Sequence, residues 1–186
     1  MRITDLQLDD EPAIEQAALL LYESFKEHWP EAWPDVAAAR REVCESFAPG
    51  RLSRIALDES GAVAGWIGGI SQYDGNVWEL HPLAVRSDQR GRGIGRALVA
   101  DLETQASERG GVTLWLGTDD EDEMTTLAGV DLYPDVLGHL ARLGNLKRHP
   151  YEFYQRLGFA IVGVMPDANG RGKPDIFLAK SLTPRR

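Results

Sequence analysis

A single cysteine, Cys44, is the whole thiol content of this 186-residue chain. No internal disulfide can form, and a reducing, cytoplasmic setting is expected. Long apolar runs are missing too. The longest, Ala17–Tyr22, has 6 residues, against roughly 18 for a membrane span. The first ten residues include Asp5, Asp9 and Asp10 where a secretory leader needs an apolar stretch, so no leader is expected. Positive charge is scarce: 20 Lys and Arg stand against 29 Asp and Glu, a net charge of −9. Nucleic-acid binding needs a basic footprint, so neither a nucleic acid nor a membrane is an expected partner. An acidic surface can still attract a cationic ligand. Repeats, low-complexity stretches and Pro/Gly/Ser linkers are absent. The 43% hydrophobic and 26% charged fractions suit one globular domain over residues 1–186.

The punctuation predicts an alternation of strands and helices. Arg2–Leu8 reads as a strand. Asp9–Pro12 starts a helix with an acidic cap and a first-turn proline, and the helix runs to about His28. The Trp29–Pro30 and Trp33–Pro34 pairs break it, and Asp35 caps a second helix through Phe47. Arg51–Asp58 and Gly61–Tyr73 form a hairpin, and Val77–Val85 is a further strand. Arg90–Arg109 is predicted helical, with Ile94, Leu98, Leu102 and Ala106 on one face, and Gly110 stops it. Val112–Leu116 is a strand. Val136–Leu143 has helical spacing, and His149–Leu157 is a short helix. Phe159–Val164 and Asp175–Leu182 are the last strands. The order describes an α/β protein with a central sheet.

Between the Val77–Val85 strand and the following helix lies Gln89-Arg-Gly-Arg-Gly-Ile-Gly95. Alternate glycines let backbone approach a ligand closely. A helix N-terminus offers free N–H groups and a positive dipole end, which together suit phosphate. Arg90, Arg92 and Arg96 add fixed charge. The segment lacks the Gly-Lys-Ser/Thr of a P-loop and the spacing of a dinucleotide fingerprint. Arg90-Gly-Arg-Gly93-Ile-Gly95 instead resembles the R-x-x-G-x-G loop of the GNAT acetyltransferase superfamily. Tyr154-Gln-Arg-Leu157-Gly158-Phe159 matches a second landmark of that family. Further segments are similar to the aminoglycoside 6′-N-acetyltransferase branch: Trp78–Val85, Leu116–Asp120, His149–Tyr154, Val162–Asn169 and Lys173–Ile176. The similarity covers roughly Val63–Leu182.

The resemblance implies a GNAT fold, with a mixed central sheet splayed at the cofactor strand and helices on both faces. It implies direct acetyl transfer from acetyl-CoA to the 6′-amine of an aminoglycoside, a homodimer, and no metal. The cofactor's pyrophosphate would lie on Arg90, Gly91, Arg92, Gly93, Ile94, Gly95 and Arg96. Its thioester and pantetheine arm would meet Leu83, Ala84 and Val85. Glu79 would receive the amine's proton, His81 would be a secondary active-site residue, and Tyr154 would protonate the leaving thiolate. Pro82 cannot donate to a sheet ladder and predicts a bulge in that strand. One departure stands out: Lys147 occupies the position where many members carry a cofactor-binding Asn, and Asn145 is out of register with it.

From Gly110 to Ala141 there is no Lys or Arg, while Asp119–Glu123, Asp131 and Asp135 are all acidic. Most of such a run is a solvated face. Asp119, expected directly after a strand, is the best candidate to contact a polycationic substrate together with Glu79. Trp29, Trp33 and Tyr73 are candidate flat walls for sugar rings. A polyamine or protein lysine fits the acidic run equally well, and a non-catalytic acetyl-CoA sensor is the alternative from another class. Retention of Glu79 and Tyr154 favours an enzyme.

Overall fold

The computed structural model describes residues 1–183. Its strands are β1 (Arg2–Asp5), β2 (Arg51–Leu57), β3 (Val63–Gln72), β4 (Val77–Val85), β5 (Thr113–Asp119), β6 (Ala160–Met165) and β7 (Asp175–Ser181). The helices are α1 (Glu11–Phe25), α2 (Val36–Glu45), α3 (Ile94–Glu108), α4 (Val136–Ala141) and α5 (Tyr151–Arg156). Two compact units divide the chain: Met1–Leu114 with the segment from Leu182, and Trp115–Ser181. None of the helices among the described residues is long and apolar enough to cross a membrane.

In the first unit β1, β2, β3 and β4 lie in that order, each pair antiparallel. Val112 and Thr113 N–H both donate to Asn76 O, which sets the start of β5 beside the start of β4. Asp10 caps α1 through Ala13 N–H and Asp35 caps α2 through Ala38 N–H, as their position before apolar runs predicts. One face of the strands carries α1 and α2 over Ile55, Trp66 and Ala84, closed by Ile14, Ala17, Leu21, Ala39 and Val43. On the opposite face α3 lies so close that a Cβ on Gly65 would come within 2.8 Å of Leu98, and one on Gly69 within 2.7 Å of Leu102.

Arg86, just past β4, bonds Asp58 at 3.0 Å and Asp88 at 2.7 Å and so pins the strand end to the β2–β3 turn. The Ser60 hydroxyl, then Arg86 and two backbone amides, hold the Asp58 carboxyl down at about 2. A depressed carboxyl stabilises the fold above its ordinary value of 3.8, and that contribution is lost as pH falls toward 2. Asp58→Asn is therefore expected to flatten the dependence of Tm on pH between about pH 4 and pH 2. Thermal melts of both proteins across that window check it; parallel curves would contradict it.

The second unit has β5, β7 and β6 in that order. β6 and β7 are antiparallel, and Asp120 N–H donates to Pro174 O at 2.9 Å.

Candidate active site

The β3–β4 register breaks between Ile67 and Gly69, which pair with Leu83 and Leu80 and leave His81 and Pro82 opposite Gly68. This is the bulge expected at Pro82. A Cβ on Gly68 would sit 2.2 Å from the His81 carbonyl oxygen, so only glycine allows the two chains to approach this closely. The extra residue also changes which side chains share a face. Cross-strand partners share a face, and Glu79 pairs with Ile70 while Ala84 pairs with Trp66. Glu79 and Ala84 therefore look toward α1 and α2, whereas Leu83 and Val85 look toward α3. Arg86 N–H donates to Ala64 O at 2.9 Å, a hydrogen-bonded pair. By alternation along an antiparallel ladder, the backbone N–H and C=O of Leu83 and Val85 point away from β3.

Glu79 is half-buried, and its Oε2 accepts from Gln72 Nε2 at 2.6 Å. His81, on the same face, lies 3.9 Å from Glu42 Oε1 and 6.0 Å centroid to centroid from Trp33. Trp33 itself is 9% exposed and belongs to the core under α1 and α2, so it is not an open wall for a sugar. Trp29 is half-buried against Phe25 at 5.6 Å, with its indole N–H buried and unpartnered. Tyr73 is 76% exposed in a left-handed turn, followed by Asp74 and Gly75, also at positive φ.

The helix predicted from Arg90 begins only at Ile94. Gly91 (φ 77) and Gly93 (φ 84) are left-handed, which no α-helix tolerates, and the first intrahelical bond is Ala97 N–H to Gly93 O at 3.0 Å. No side chain caps α3, and nothing lies within 4 Å of where a Cβ on Gly91 or Gly93 would be. Open space in front of uncapped helix N–H groups is what a phosphate group requires. Arg92 and Arg96 are exposed there. Arg90 is tied back, its Nε donating to Val85 O at 3.2 Å and occupying one acceptor site of that carbonyl. A cavity of about 360 Å³ borders Arg92 and Ile94 on the side of the Asp58–Ser60 turn, but it includes neither Glu79 nor His81.

In the second unit Asp119 is the last residue of β5, not the residue after it. Its carboxylate accepts from Asn169 Nδ2, and its carbonyl receives His149 Nε2 at 3.0 Å. Its neighbour Asp120 points inward, fully buried, and accepts the amides of Met124 at 2.7 Å and Thr125 at 2.8 Å. Other acids of the run are also engaged. Glu121 pairs with Lys173 at 3.2 Å, Asp135 caps α4 through Gly138 N–H, and Asp131 accepts Tyr133 N–H. The stretch without Lys or Arg is thus partly neutralised by Lys173 from elsewhere in the chain. Lys147 donates to Asp122 O at 3.0 Å, and Asn145 bonds the backbone of His149 on both sides. Both residues brace loops.

Tyr154, on α5, is 9% exposed and lies edge-on to Phe153 and Phe159. Burial pushes its phenol well above the ordinary range, so it keeps its proton throughout physiological pH. Gln72 carried no signal in the sequence, and His149 and Asn169 stood only inside segments that resemble the family, with no site role marked for either. Each acts on a partner that becomes a neighbour only on folding. Among the described residues no group of three or more His, Cys, Asp or Glu is placed to hold a metal ion.

The acetyltransferase (GNAT) family matches residues 18–128. No curated protein sequence matches the chain significantly. Solved structures do. An aminoglycoside 6′-N-acetyltransferase complexed with coenzyme A is 41% identical, aligned over 100% of this chain and 99% of its own, with a TM-score of 0.90. The aminoglycoside 6′-N-acetyltransferase from Enterococcus faecium is 41% identical over the same shares, with a TM-score of 0.88. An aminoglycoside 6′-acetyltransferase type Ii is 36% identical over 100% of both chains, with a TM-score of 0.74. The family's span takes in the bulged strand and the glycine loop, and relatives at 41% identity align from end to end: this chain belongs to the GNAT family of acetyltransferases.

Proposed function

We propose that this protein transfers the acetyl group of acetyl-CoA directly to the 6′-amine of aminoglycosides. The observation that carries the reading is end-to-end likeness at 41% identity to enzymes of that activity, one of them complexed with coenzyme A. The same alignment over 100% of the chain supports one acetyltransferase domain made of both compact units.

In this reading the backbone N–H groups of Gly91–Gly95, with Arg92 and Arg96, hold the cofactor's pyrophosphate. Leu83 offers its outward N–H to the thioester carbonyl oxygen, where negative charge develops during attack. Glu79 takes a proton from the substrate ammonium, directly or through water, with Gln72 fixing its carboxylate. His81 lines the same face. Tyr154 supplies the proton that leaves with the thiolate; burial keeps the phenol protonated beforehand and raises its pKa, which opposes the transfer. Asp119 offers a carboxylate to the cationic sugar, and Trp29 and Tyr73 stay candidate aromatic contacts of the first unit. Cys44 is no acyl carrier: it sits in α2, in contact with Arg40 Nη1 at 3.7 Å and, among the described residues, with no histidine bonded to it.

The test is thiol release from acetyl-CoA across a panel of amines, with mass spectrometry locating the acetyl group. Aminoglycosides bearing a 6′-amine should be acetylated at that nitrogen, and analogues with a 6′-hydroxyl should not. Faster turnover of polyamines or of lysine peptides would overturn the assignment, and absence of turnover with every amine would favour a sensor.

Asp119→Asn should raise the aminoglycoside KM about ten-fold and leave the acetyl-CoA KM unchanged, the amount expected from one charged hydrogen bond. Added salt should weaken wild-type binding more than that of the variant, which has already lost part of the attraction. Steady-state kinetics at two ionic strengths measures both effects. Equal salt sensitivity with an unchanged KM would return Asp119 to the solvated face.

A further inference from the structure

We infer that His149 is a positioning residue serving two groups of the transfer reaction at once: its Nε2 proton sets the Asp119 end of β5, and its Nδ1 lone pair sets the start of the Tyr154 helix. The inference deepens the function proposed above and rests on it for the roles of Asp119 and Tyr154.

The imidazole is 1% exposed, among the most buried polar side chains described. Nε2 lies 3.0 Å from Asp119 O, and Tyr151 N lies 3.3 Å from Nδ1. A backbone carbonyl can only accept and a backbone amide can only donate. The ring must therefore carry its proton on Nε2 and its lone pair on Nδ1, which is the neutral form. Burial favours that form by lowering the pKa, against the Asp119 bond and the charges of Asp120 and Asp119. Tyr151 is the first residue of α5, a helix of 6 residues, and Tyr154 follows within one turn. So short a helix has little stability of its own, and an external acceptor for its first amide fixes where it starts. The backbone of His149 cannot drift either. Asn145 Oδ1 accepts its N–H at 2.8 Å, and Asn145 Nδ2 donates to its carbonyl at 3.0 Å. A rigid ring with a donor at one corner and an acceptor at another thus sets the spacing between the substrate acid and the helix of the proton donor.

Asparagine and glutamine divide these two tasks. The Asn Oδ1 occupies the place of Nδ1 and can still accept Tyr151 N–H, but nothing reaches Asp119 O. The Gln Nε2 is as many bonds from the backbone as the histidine Nε2 and can still donate to Asp119 O, but the acceptor for Tyr151 is gone. We expect His149→Asn to raise the aminoglycoside KM about five-fold, the scale of one neutral hydrogen bond, with kcat held within about two-fold. We expect His149→Gln to lower kcat about ten-fold, because a misplaced proton donor slows chemistry, with the KM held within about two-fold. Neither should change the acetyl-CoA KM. Asp119→Asn and Tyr154→Phe run alongside, the latter expected to lower kcat on the order of 10²-fold.

If those two controls behave as stated but both His149 variants move the same constant, or lower only Tm, the inference is overturned while the function stands. Should the controls leave both constants unchanged, the roles of Asp119 and Tyr154 fail, and the inference fails with them. Imidazole ¹⁵N shifts of the wild-type protein need no variant to fold. At pH 7 they should report a protonated Nε2 and a bare Nδ1, and a protonated Nδ1 would overturn the inference.

Discussion

Replacing Glu79 by glutamine is expected to cut turnover on the order of 10²-fold at pH 7, and by less as pH rises. An alkylammonium with a pKa of about 10.4 is neutral in only about one molecule in 10³ at pH 7. Without a proton acceptor the enzyme must wait for that fraction, which grows about ten-fold per pH unit. The variant's rate should therefore climb steeply from pH 6 to pH 9, while the wild-type rate climbs less. Folding should be preserved, since the new amide can still offer a carbonyl oxygen to Gln72 Nε2. Acetyl-CoA binding should be preserved as well, because Glu79 and the Leu83–Val85 stretch lie on opposite sides of the bulge. Stopped-time assays of thiol release over that pH range measure the slope. Wild-type rates at every pH would remove Glu79 from the proton path and make His81, which neighbours Glu42 and Trp33 on the same face, the next residue to test.

The second large effect is expected at Gly93. Saturating acetyl-CoA, at about 100 times its Kd, should stabilise the wild-type protein by about 2.7 kcal/mol, or about 5–10 °C in Tm for a chain of this size. Gly93→Asp should abolish that rise. A negative side chain would stand where backbone N–H groups meet phosphate, in space that is open in the free protein. The variant will also lose some stability without ligand, because φ 84 is left-handed and any Cβ there costs on the order of 1 kcal/mol. Gly93→Ala separates the two causes. It should show the same drop in Tm without ligand and keep most of the ligand-induced rise. Differential scanning fluorimetry with and without acetyl-CoA reads all three proteins. An undiminished rise in the Asp variant would dissociate the loop from cofactor binding.

What could be read from the residues in order was whatever contiguous residues build. The capping acids Asp10 and Asp35, the stop at Gly110 and the bounds of β4 are local signals, decided within one turn of helix or one strand. The glycine loop is of the same kind. A phosphate cradle is made of consecutive backbone N–H groups, so its residues stand together in the sequence and carry the family resemblance with them. Where that reading slipped, as in starting α3 at Arg90, the error lay in treating two glycines as helical when their left-handed conformation forms the cradle itself.

Tertiary structure decided everything that depends on partners distant in the chain. Strict alternation would place Glu79, Leu83 and Val85 on one face; the bulge opposite Gly68 separates them. Two adjacent aspartates of identical local character were divided by folding: Asp120 turned inward to bind two amides, and Asp119 was left at the strand end with Asn169. Trp33 became core, although its Trp-Pro setting matched that of the half-buried Trp29. His149 reaches Asp119 across 30 positions and Asn169 reaches it across 50. No periodicity or spacing encodes such pairs, because a hydrogen bond depends on where two atoms come to rest and the chain between them leaves that open until the sheet has formed.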